Sequence, residues 1–366
     1  MIARMSDGTA DIPTVSEKIG IGIVGLGMAA APHARSLIEL SDRISVKGAY
    51  SRTPETRSAF CQRYGFPEVG SLEALVSDDD IQAILVLTPP NARLEPVRTC
   101  AAAGKSILME KPIERTVAAS EEIVRLCEGA GIELGIVFQH RFRPGSIRLR
   151  HLLESGDLGP VAAVRVQVPW WRDQAYYDEP GRGTFARDGG GVLMSQAIHS
   201  LDLMLSLFEP VTEVQVLAGT TRLHTMEAED FVAGGMRFAN GALAALTATT
   251  AAYPGEAEVI DVDCESGSAR LQSGALSIRW RDGRREHLES EMATGAGADP
   301  MAFSHEWHRD LIADFVGAVA TGRSPAVTGR EALNVHYLID ALLESSRIGR
   351  SVVIDGQART GEKVDT

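Results

Sequence analysis

Short apolar runs alternate with stretches of helical composition over the first third of the chain, and this alternation restricts the fold more than any other feature. The runs predict five strands, Ile19–Val24, Ile44–Tyr50, Ile81–Leu87, Ser106–Met109 and Glu133–Phe138, separated by four helices, Ala29–Leu40, Pro54–Tyr64, Asn91–Ala103 and Val117–Gly129. Repeated β–α units of this length form a parallel sheet with right-handed crossovers and helices on both faces. We therefore predict a doubly wound α/β domain over residues 18–140.

The pattern changes after about residue 140. Longer β segments are predicted at Val161–Trp170, Val211–Thr220, Asp230–Phe238, Ala242–Ala251, Val259–Cys264 and Leu276–Trp280, with helices at Ser146–Ser155, Ser195–Leu207, Phe303–Thr321 and Gly329–Ile348. This order favours an α+β domain over residues 141–356, with a mostly antiparallel sheet and helices on one face. Residues 1–17 and 357–366 are expected to be flexible tails.

Composition excludes several classes of function. The 366 residues carry a formal net charge of −13, which does not attract phosphate backbones or anionic lipid, so neither nucleic-acid nor membrane binding is expected. The N-terminal residues include acids and lack the apolar core of a signal peptide, and no apolar run reaches the ~20 residues of a membrane span. We expect a cytoplasmic protein.

A glycine-rich turn follows the first predicted strand. Gly25-x-Gly27-x-x-Ala30 opens the first helix, which is the context of a dinucleotide-binding fingerprint in a Rossmann domain. Gly25 permits a tight turn, Gly27 allows the backbone to approach a pyrophosphate, and Ala30 allows close packing of helix on strand. The N–H groups at the start of the helix, which include Met28 and Ala29, would bind the phosphates.

The end of the second strand selects between NAD and NADP. An acidic residue there would bond the ribose 2′-hydroxyl of NAD, but this chain has Ser51 and Arg52. A hydroxyl and a guanidinium can hold a 2′-phosphate, so the pair favours NADP. The alternative, that Arg52 is only a solvated turn residue, stays open.

Two further motifs follow strands of the same sheet. Thr88-Pro89-Pro90-Asn91 comes after Ile81–Leu87, and Glu110-Lys111-Pro112 comes after Ser106–Met109. Open α/β sheets bind ligands at the carboxyl ends of their strands. A lysine at a buried strand end can change its protonation state, although Lys111 taken alone is more often an ordinary surface lysine.

The fifth motif lies in the second half of the chain. Three glycines, 189–191, precede Ser195, Gln196, His199 and Asp202. Glycines permit close approach of the backbone to a ligand, and Ser195 suits a helix N-cap. His199 and Asp202 are three residues apart and so lie on one helix face. Taken alone, a helical histidine is more often structural than catalytic.

Together these motifs, in this order, resemble the glucose–fructose oxidoreductase, inositol dehydrogenase and rhizopine-catabolism (Gfo/Idh/MocA) family over residues 18–355. The resemblance implies a Rossmann domain followed by an α+β domain with a large open sheet. It also implies hydride transfer between a sugar-like alcohol carbon and a nicotinamide ring. By position, Lys111 matches the lysine of the family's E-K-P motif and His199 its histidine, so both are expected to be catalytic.

The sequence departs from the family pattern in two places. Ser195 occupies a position that is usually acidic, which puts an Asp-assisted mechanism in doubt; Ser195-Gln196 is nearer the Asn-Gln of the nucleotide-sugar dehydrogenase branch. The stretch from Trp171 to Thr184 is similar to that branch too. Arg93 stands where a histidine often follows the T-P-P turn, and we assign it no role.

The resemblance and the motifs yield two sets of candidate ligand-binding residues. The expected cofactor contacts are Gly25, Gly27, Met28, Ala29, Ala30, Ser51, Arg52, Thr88, Pro89, Pro90, Asn91, Glu110, Lys111 and Gln139. The expected substrate contacts are Lys111, Arg172, Tyr176, Tyr177, Arg182, Ser195, Gln196 and His199, because aromatic rings stack on sugars and arginine binds carboxylate or phosphate.

The expected reaction places the substrate hydroxyl between Lys111 and His199, one accepting the proton and the other polarising the developing carbonyl. Which of them is the base stays open, as does the substrate: a sugar, an inositol, a sugar acid or a nucleotide sugar. Two alternatives compete with this reading, a non-catalytic nucleotide-binding sensor and a glycosidase that uses tightly held NAD without net redox change.

Two further expectations concern metals and assembly. His305 and His308 lie one helical turn apart, but no further ligand is evident in the sequence, so no metal site is predicted. The strand Ala242–Ala251 carries no charge on either face, although an open sheet face is normally polar. We therefore predict a homodimer or homotetramer formed through this sheet.

Overall fold

The computed structural model describes residues 18–290 and 304–354. The tails predicted at 1–17 and 357–366 lie outside the described residues, as do Phe303 at the start of one predicted helix and the last two residues of the proposed second domain.

The first sheet has five parallel strands in the order β2-β1-β3-β4-β5. They are β1 (Ile19–Val24), β2 (Ile44–Tyr50), β3 (Ala83–Val86), β4 (Ser106–Met109) and β5 (Leu134–Ile136), with helices α1 (Ala30–Glu39), α2 (Pro54–Tyr64), α3 (Leu72–Val76), α4 (Leu94–Ala102) and α5 (Val117–Gly129) between them. The predicted parallel doubly wound sheet is confirmed. The predicted helix Asn91–Ala103 is divided into a 3₁₀ turn, Pro90–Ala92, and α4.

The strand order reverses between β1 and β3. The chain moves from β1 outward to β2, then returns past β1 to begin the other half of the sheet at β3. A crevice opens at the carboxyl ends of two strands whose connections leave in opposite directions. The glycine turn follows β1 and the T-P-P-N motif follows β3, so both motifs meet at this crevice.

Within the described residues, the second sheet has nine strands in the order β13-β12-β11-β10-β6-β9-β8-β7-β14, and β6 and β9 form its parallel pair. Its strands are β6 (Val161–Pro169), β7 (Val211–Gly219), β8 (Phe231–Phe238), β9 (Leu243–Thr249), β10 (Val259–Cys264), β11 (Gly267–Gln272), β12 (Ala275–Trp280), β13 (Arg285–Leu288) and β14 (Val352–Val353). The helices are α6 (Pro144–Glu154), α7 (Gln174–Tyr177), α8 (Ile198–Leu207), α9 (Glu306–Thr321) and α10 (Gly329–Ile348). The predicted large, mostly antiparallel sheet is confirmed.

Helices cover one face of the second sheet. Helices α6, α8 and α10 pack on it, and alternate residues of β9 such as Leu246 are buried beneath them. The opposite face leaves large apolar side chains exposed, among them Leu217 on β7 (74% exposed) and Leu243 on β9 (52% exposed). This exposed face is the one through which assembly was predicted.

Helix α9 packs against the first sheet, although it lies in the second half of the sequence. Leu311, Ile312 and Phe315 join the apolar core formed by β1 and α1 of the first sheet. The division at residue 140 therefore stays our proposal for the domains, with α9 covering the first sheet across that boundary.

One buried ion-pair cluster joins three elements behind the crevice. The Arg141 guanidinium donates to both carboxylate oxygens of Asp202 on α8, at 2.7 and 2.6 Å, and to Glu331 on α10 at 2.6 Å. Arg141 and Asp202 are almost fully buried. Such a cluster stabilises the fold only while every charge in it has a partner.

We predict that Asp202→Asn lowers the free energy of unfolding by about 3 kcal/mol, because it leaves the Arg141 charge buried with one acidic partner. The matched control is Arg98→Gln, which breaks the exposed Arg98–Glu122 pair and should cost no more than about 1 kcal/mol. Urea unfolding of both variants measures the difference; equal losses would show that the buried cluster contributes no more than a surface pair.

Candidate dinucleotide-binding and active site

The glycine turn has the backbone geometry that the fingerprint requires. Gly25 has a φ of 95°, and a Cβ there would lie 2.7 Å from the Thr88 backbone nitrogen, so no larger residue fits. A Cβ on Gly27 would meet no atom within 4 Å and would project into open space. The buried Ala30 packs helix α1 onto the sheet. The turn is thus a cradle that an added side chain would fill, as binding of a pyrophosphate demands.

A cavity of about 1000 Å³ extends from this turn along the carboxyl ends of the strands. Fifteen of the predicted residues line it: Gly25, Gly27, Met28, Ala29, Ser51, Arg52, Thr88, Pro89, Pro90, Asn91, Glu110, Lys111, Tyr176, Arg182 and Ser195. Six do not: Ala30, Gln139, Arg172, Tyr177, Gln196 and His199. The cavity therefore contains most of the predicted cofactor residues and part of the predicted substrate set.

Arg93, which sequence reasoning left without a role, connects two walls of the cavity. Its buried guanidinium donates to the carbonyls of Thr88 (3.0 Å), Lys111 (3.3 Å) and Ile113 (3.5 Å). These carbonyls belong to the loops after β3 and β4, so Arg93 holds the two motifs together. The signal in the sequence was an arginine at a position where a histidine often follows the T-P-P turn.

Glu110 is fixed by a histidine that sequence reasoning missed. His33, buried on α1, hydrogen-bonds Glu110 through Nε2 at 2.8 Å. Burial is the largest single influence on Glu110 and raises its pKa, but the hydrogen bond from His33 and the charges of His33, His308 and Lys111 together outweigh burial and lower the pKa to about 2. Glu110 therefore carries a negative charge directly before Lys111.

His33 and Glu110 form, with His308, a cluster of potential metal ligands, although no metal site was predicted. His308 lies beside His33 and Glu110, whereas His305 bonds Glu39 instead. His33 and Glu110 hydrogen-bond each other directly at 2.8 Å. We assign no ion to this cluster, and the absence of a metal site stays a prediction.

Lys111 reaches across the crevice to the second half of the chain. Its Nζ donates to the carbonyl of Ser195 at 2.7 Å. Leu193–Ala197 forms a π-helix directly before α8, and Ser195 lies inside it, so the expectation that Ser195 caps the helix is wrong. Turns of this kind free backbone carbonyls and recur at functional sites. Burial lowers the pKa of Lys111 to about 8, although Glu110 opposes the shift.

His199 lies behind Lys111, in the first turn of α8, and is 7% exposed. Its ring packs against His140, with centroids 4.8 Å apart, and edge-on to Phe138 at 6.0 Å. Asp202 does not partner it, because Arg141 holds both Asp202 oxygens. Burial and the Lys111 charge lower the pKa of His199 well below its usual value.

Tyr176 presents an aromatic ring to the cavity. Arg182 and Arg172 lie over the ring at 4.4 and 5.6 Å, and its hydroxyl accepts bonds from Arg182 (3.0 Å) and Gln196 (3.3 Å). Tyr177, by contrast, is buried and hydrogen-bonds Thr250 at 2.6 Å. Tyr176 and Arg182 thus face the space beyond Lys111, and Tyr177 does not.

Two glutamines have buried amide oxygens without a donor. Gln139 and Gln196 are 7% and 4% exposed, and neither Oε1 receives a hydrogen bond from the described residues. Unpaired buried acceptors are rare in folded proteins.

Comparison with known proteins agrees with this geometry. Residues 19–138 match the oxidoreductase family with an NAD-binding Rossmann fold, and residues 147–270 match the Gfo/Idh/MocA C-terminal domain. The chain belongs to the Gfo/Idh/MocA family of oxidoreductases. It is an enzyme that works with a nicotinamide dinucleotide, which argues against the sensor reading.

Individual relatives are distant but full-length. D-xylose 1-dehydrogenase (NADP(+)) 2 of Haloferax volcanii is 25% identical, with 92% of this chain and 98% of the relative covered. Inositol 2-dehydrogenase of Rhizobium meliloti is 24% identical, with 92% and 99% covered. Among solved structures, the WlbA dehydrogenase of Bordetella pertussis, in complex with NADH and UDP-GlcNAcA, has a TM-score of 0.80 at 26% identity, covering 93% of this chain and all of that one.

None of the helices in the described part of the chain has the length and apolar character needed to cross a membrane.

We predict that Gly27→Ala raises the dissociation constant for the cofactor ~10-fold or more, because the new methyl group takes the space of the pyrophosphate. The matched control is Gly129→Ala at the end of α5, where a Cβ also meets no atom within 4 Å. Isothermal titration calorimetry measures both variants; unchanged affinity in Gly27→Ala would remove the fingerprint from the cofactor site.

Proposed function

We propose that this enzyme transfers a hydride between its nicotinamide cofactor and a secondary hydroxyl or keto group of a sugar, an inositol, a sugar acid or a nucleotide sugar. The observation that carries the proposal is the position of Lys111, whose ammonium group lies on the cavity wall and bridges to Ser195. Because the Lys111 amine lies between the two halves of the cavity, it would contact both the cofactor and the substrate.

The glycine turn, the T-P-P-N loop and Glu110 would hold the cofactor, whose ring supplies the hydride acceptor. Lys111 and His199 would contact the substrate oxygen, one taking its proton and the other polarising it. Tyr176 lines the cavity and offers a ring for the apolar face of a sugar. Gln139 and Gln196 have buried amide oxygens but lie outside the cavity lining, so their ligand contacts stay predictions.

Relatives support the substrate class. The names of the similar proteins include xylose and inositol dehydrogenases, and the Bordetella structure holds a nucleotide sugar. Screening with these classes of alcohol, each with NAD⁺ and NADP⁺, tests the proposal through the absorbance of reduced cofactor. A redox-neutral glycosidase would instead release sugar with no net reduction.

Substitution tests the two catalytic residues. Lys111→Ala and His199→Ala should each lower kcat/KM by about 10²–10⁴-fold on the alcohol found by screening, because each removes a group that contacts the reacting oxygen. His199→Ala should leave the dissociation constant of the cofactor unchanged, since His199 lies on α8, apart from the glycine turn, the T-P-P-N loop and Glu110 that would hold the cofactor. Activity that survives in both variants would contradict the proposal.

NADP is the cofactor that Ser51 and Arg52 favour. Both residues line the cavity, and Arg52 is exposed at its rim with no carboxylate partner among the described residues. Arg52→Ala should weaken NADP⁺ binding ~10-fold or more and change NAD⁺ binding little, because the charge acts on the 2′-phosphate. The control is the exposed Arg63→Ala on α2. A wild-type preference of tenfold or more for NAD⁺ would overturn this assignment.

The open face of the second sheet is the proposed assembly surface. Leu217 and Leu243 are exposed there, and the outward positions of β9 between Leu243 and Thr249 are uncharged. We predict a dimer or tetramer by light scattering, and dissociation in Leu243→Lys because burying an unpaired charge opposes contact. A monomer at working concentration would refute the prediction.

A further inference from the structure

His199 lacks the carboxylate that orients the imidazole in most catalytic sites. Neither of its ring nitrogens has a hydrogen-bond partner among the described residues, and Nδ1 is fully buried. Asp202, one turn along the same helix, is held by Arg141. Ser195, at the position where relatives often have an acid, presents its carbonyl to Lys111. Some other group must therefore set the orientation of this ring.

His140 is the group that lies against the His199 ring. Its ring stacks on the His199 ring, with centroids 4.8 Å apart and planes inclined by 26°. His140 Nε2 lies 2.6 Å from the Arg143 guanidinium. Since guanidinium only donates, Nε2 accepts this bond and the proton of the ring is on Nδ1. Arg143 thus holds His140 as an uncharged ring in one tautomer.

Arg143 is itself fixed in the core. It forms a buried ion pair with Glu258 at 2.5 Å and lies over the Trp307 ring at 4.3 Å. Trp170 donates its indole N–H to the second Glu258 oxygen at 3.3 Å. Glu258, the carboxylate that compensates the Arg143 charge, therefore bonds Arg143 and Trp170 and does not bond a histidine.

The groups facing His199 oppose a positive charge on it. Burial is the largest cause of its lowered pKa, followed by the charges of Lys111 and Arg143, with His308 contributing from α9. Burial also lowers the pKa of His308 to about 3 and, with Arg143, keeps the pKa of His140 low. An imidazolium at His199 would have no stabilising carboxylate.

Lys111 has a different environment. Burial is the largest influence on Lys111 and opposes its charged form, as do Arg93 and Arg172, whereas Glu110 and Asp188 favour the charged form. These influences leave its pKa at about 8, so Lys111 can exist in either protonation state near neutral pH.

We propose that His140, fixed by Arg143 and Glu258, is a positioning residue that orients the His199 ring by stacking where a carboxylate would otherwise hold it, and that the substrate proton goes to Lys111 while His199 serves as an uncharged donor. The inference rests on the proposed hydride transfer and assigns the roles within it.

The oxidation step balances with these roles. The uncharged Lys111 amine takes the hydroxyl proton and becomes an ammonium. The O–H electron pair forms the carbonyl bond as the C–H bond breaks and the hydride leaves to the oxidised dinucleotide. His199 donates an N–H to the oxygen before and after the step. Oxidation should therefore accelerate as pH rises to about 8 and then level off, and reduction should slow above about 8.

The first test measures the charge of His199 without turnover. NMR follows its imidazole resonances, assigned by their loss in His199→Asn, in the cofactor-free protein and with NADP⁺. We expect no titration between about pH 5.5 and 9, whereas a free histidine titrates near 6.5. A protonation midpoint for His199 inside this interval would overturn the proposal.

The second test separates the two proton acceptors by a matched pair of variants. Lys111→Arg keeps a cation that cannot deprotonate, and His199→Asn keeps an uncharged donor that cannot titrate. We expect Lys111→Arg to lose ~100-fold or more of kcat and the rise with pH, and His199→Asn to retain that rise. The reverse result overturns the assignment.

Chemical rescue decides the assignment if neither variant turns over. Primary amines should restore Lys111→Ala in proportion to the concentration of the unprotonated amine. Rescue that follows the ammonium form would contradict the role of Lys111 as base.

The third test concerns His140. His140→Phe keeps a flat ring against His199, whereas His140→Leu removes it. We expect His140→Phe to retain kcat within about 3-fold and His140→Leu to lose about 10-fold or more, with the KM of the cofactor unchanged in both. Equal activity in both variants would remove the positioning role. Each of these failures leaves hydride transfer intact, whereas loss of the proposed function would appear as no cofactor reduction with any alcohol.

Discussion

The hydrogen bond from Lys111 to the Ser195 carbonyl is the contact on which the site depends. It joins the loop after β4 to the π-helix before α8, two segments 84 residues apart in the chain. Further hydrogen bonds fix the two segments that this contact joins. Arg93 binds the Lys111 carbonyl, and Glu229 receives the backbone N–H groups of Gly191 and Leu193. These contacts fix the position of the Lys111 ammonium group on the cavity wall.

Three buried carboxylates near the site are paired with structural partners. Asp202 binds Arg141, Glu258 binds Arg143, and Asp230 binds His224 at 2.7 Å. Buried charges are stable only when paired, so none of these acids can turn to a catalytic group without leaving its partner uncompensated. The lack of a carboxylate at His199 therefore follows from the packing of the second half of the chain.

The β–α series was predictable because strand and helix periodicity and turn chemistry are local properties. The cavity lining was predictable for the same reason: residues that follow parallel strands reach the same edge of the sheet. Strands β11, β13 and β14 and the π-helix were not predicted. Strands β11 and β13 are short, largely polar neighbours of β12, whereas β14 pairs with the distant β7.

Residues that act through tertiary contacts were also missed. His33 precedes Glu110 by 77 positions, and Arg93 reaches carbonyls on two loops, so nothing in either local sequence indicates its partner. The catalytic role of His199 was predicted only through the family resemblance, and its contact with His140 depends on the packing of α8 against the 3₁₀ turn Gln139–Phe142. The expectation of a helix N-cap at Ser195 was wrong because the π-helix extends through it.

The central claim is that a hydride moves directly from an alcohol carbon to the cofactor in the cavity beside Lys111. Mass spectrometry of the cofactor after reaction with an alcohol deuterated at the reacting carbon tests it most directly. The account predicts one deuterium in each molecule of reduced dinucleotide. Reduced dinucleotide without deuterium, or product formed with no reduced dinucleotide, would contradict it.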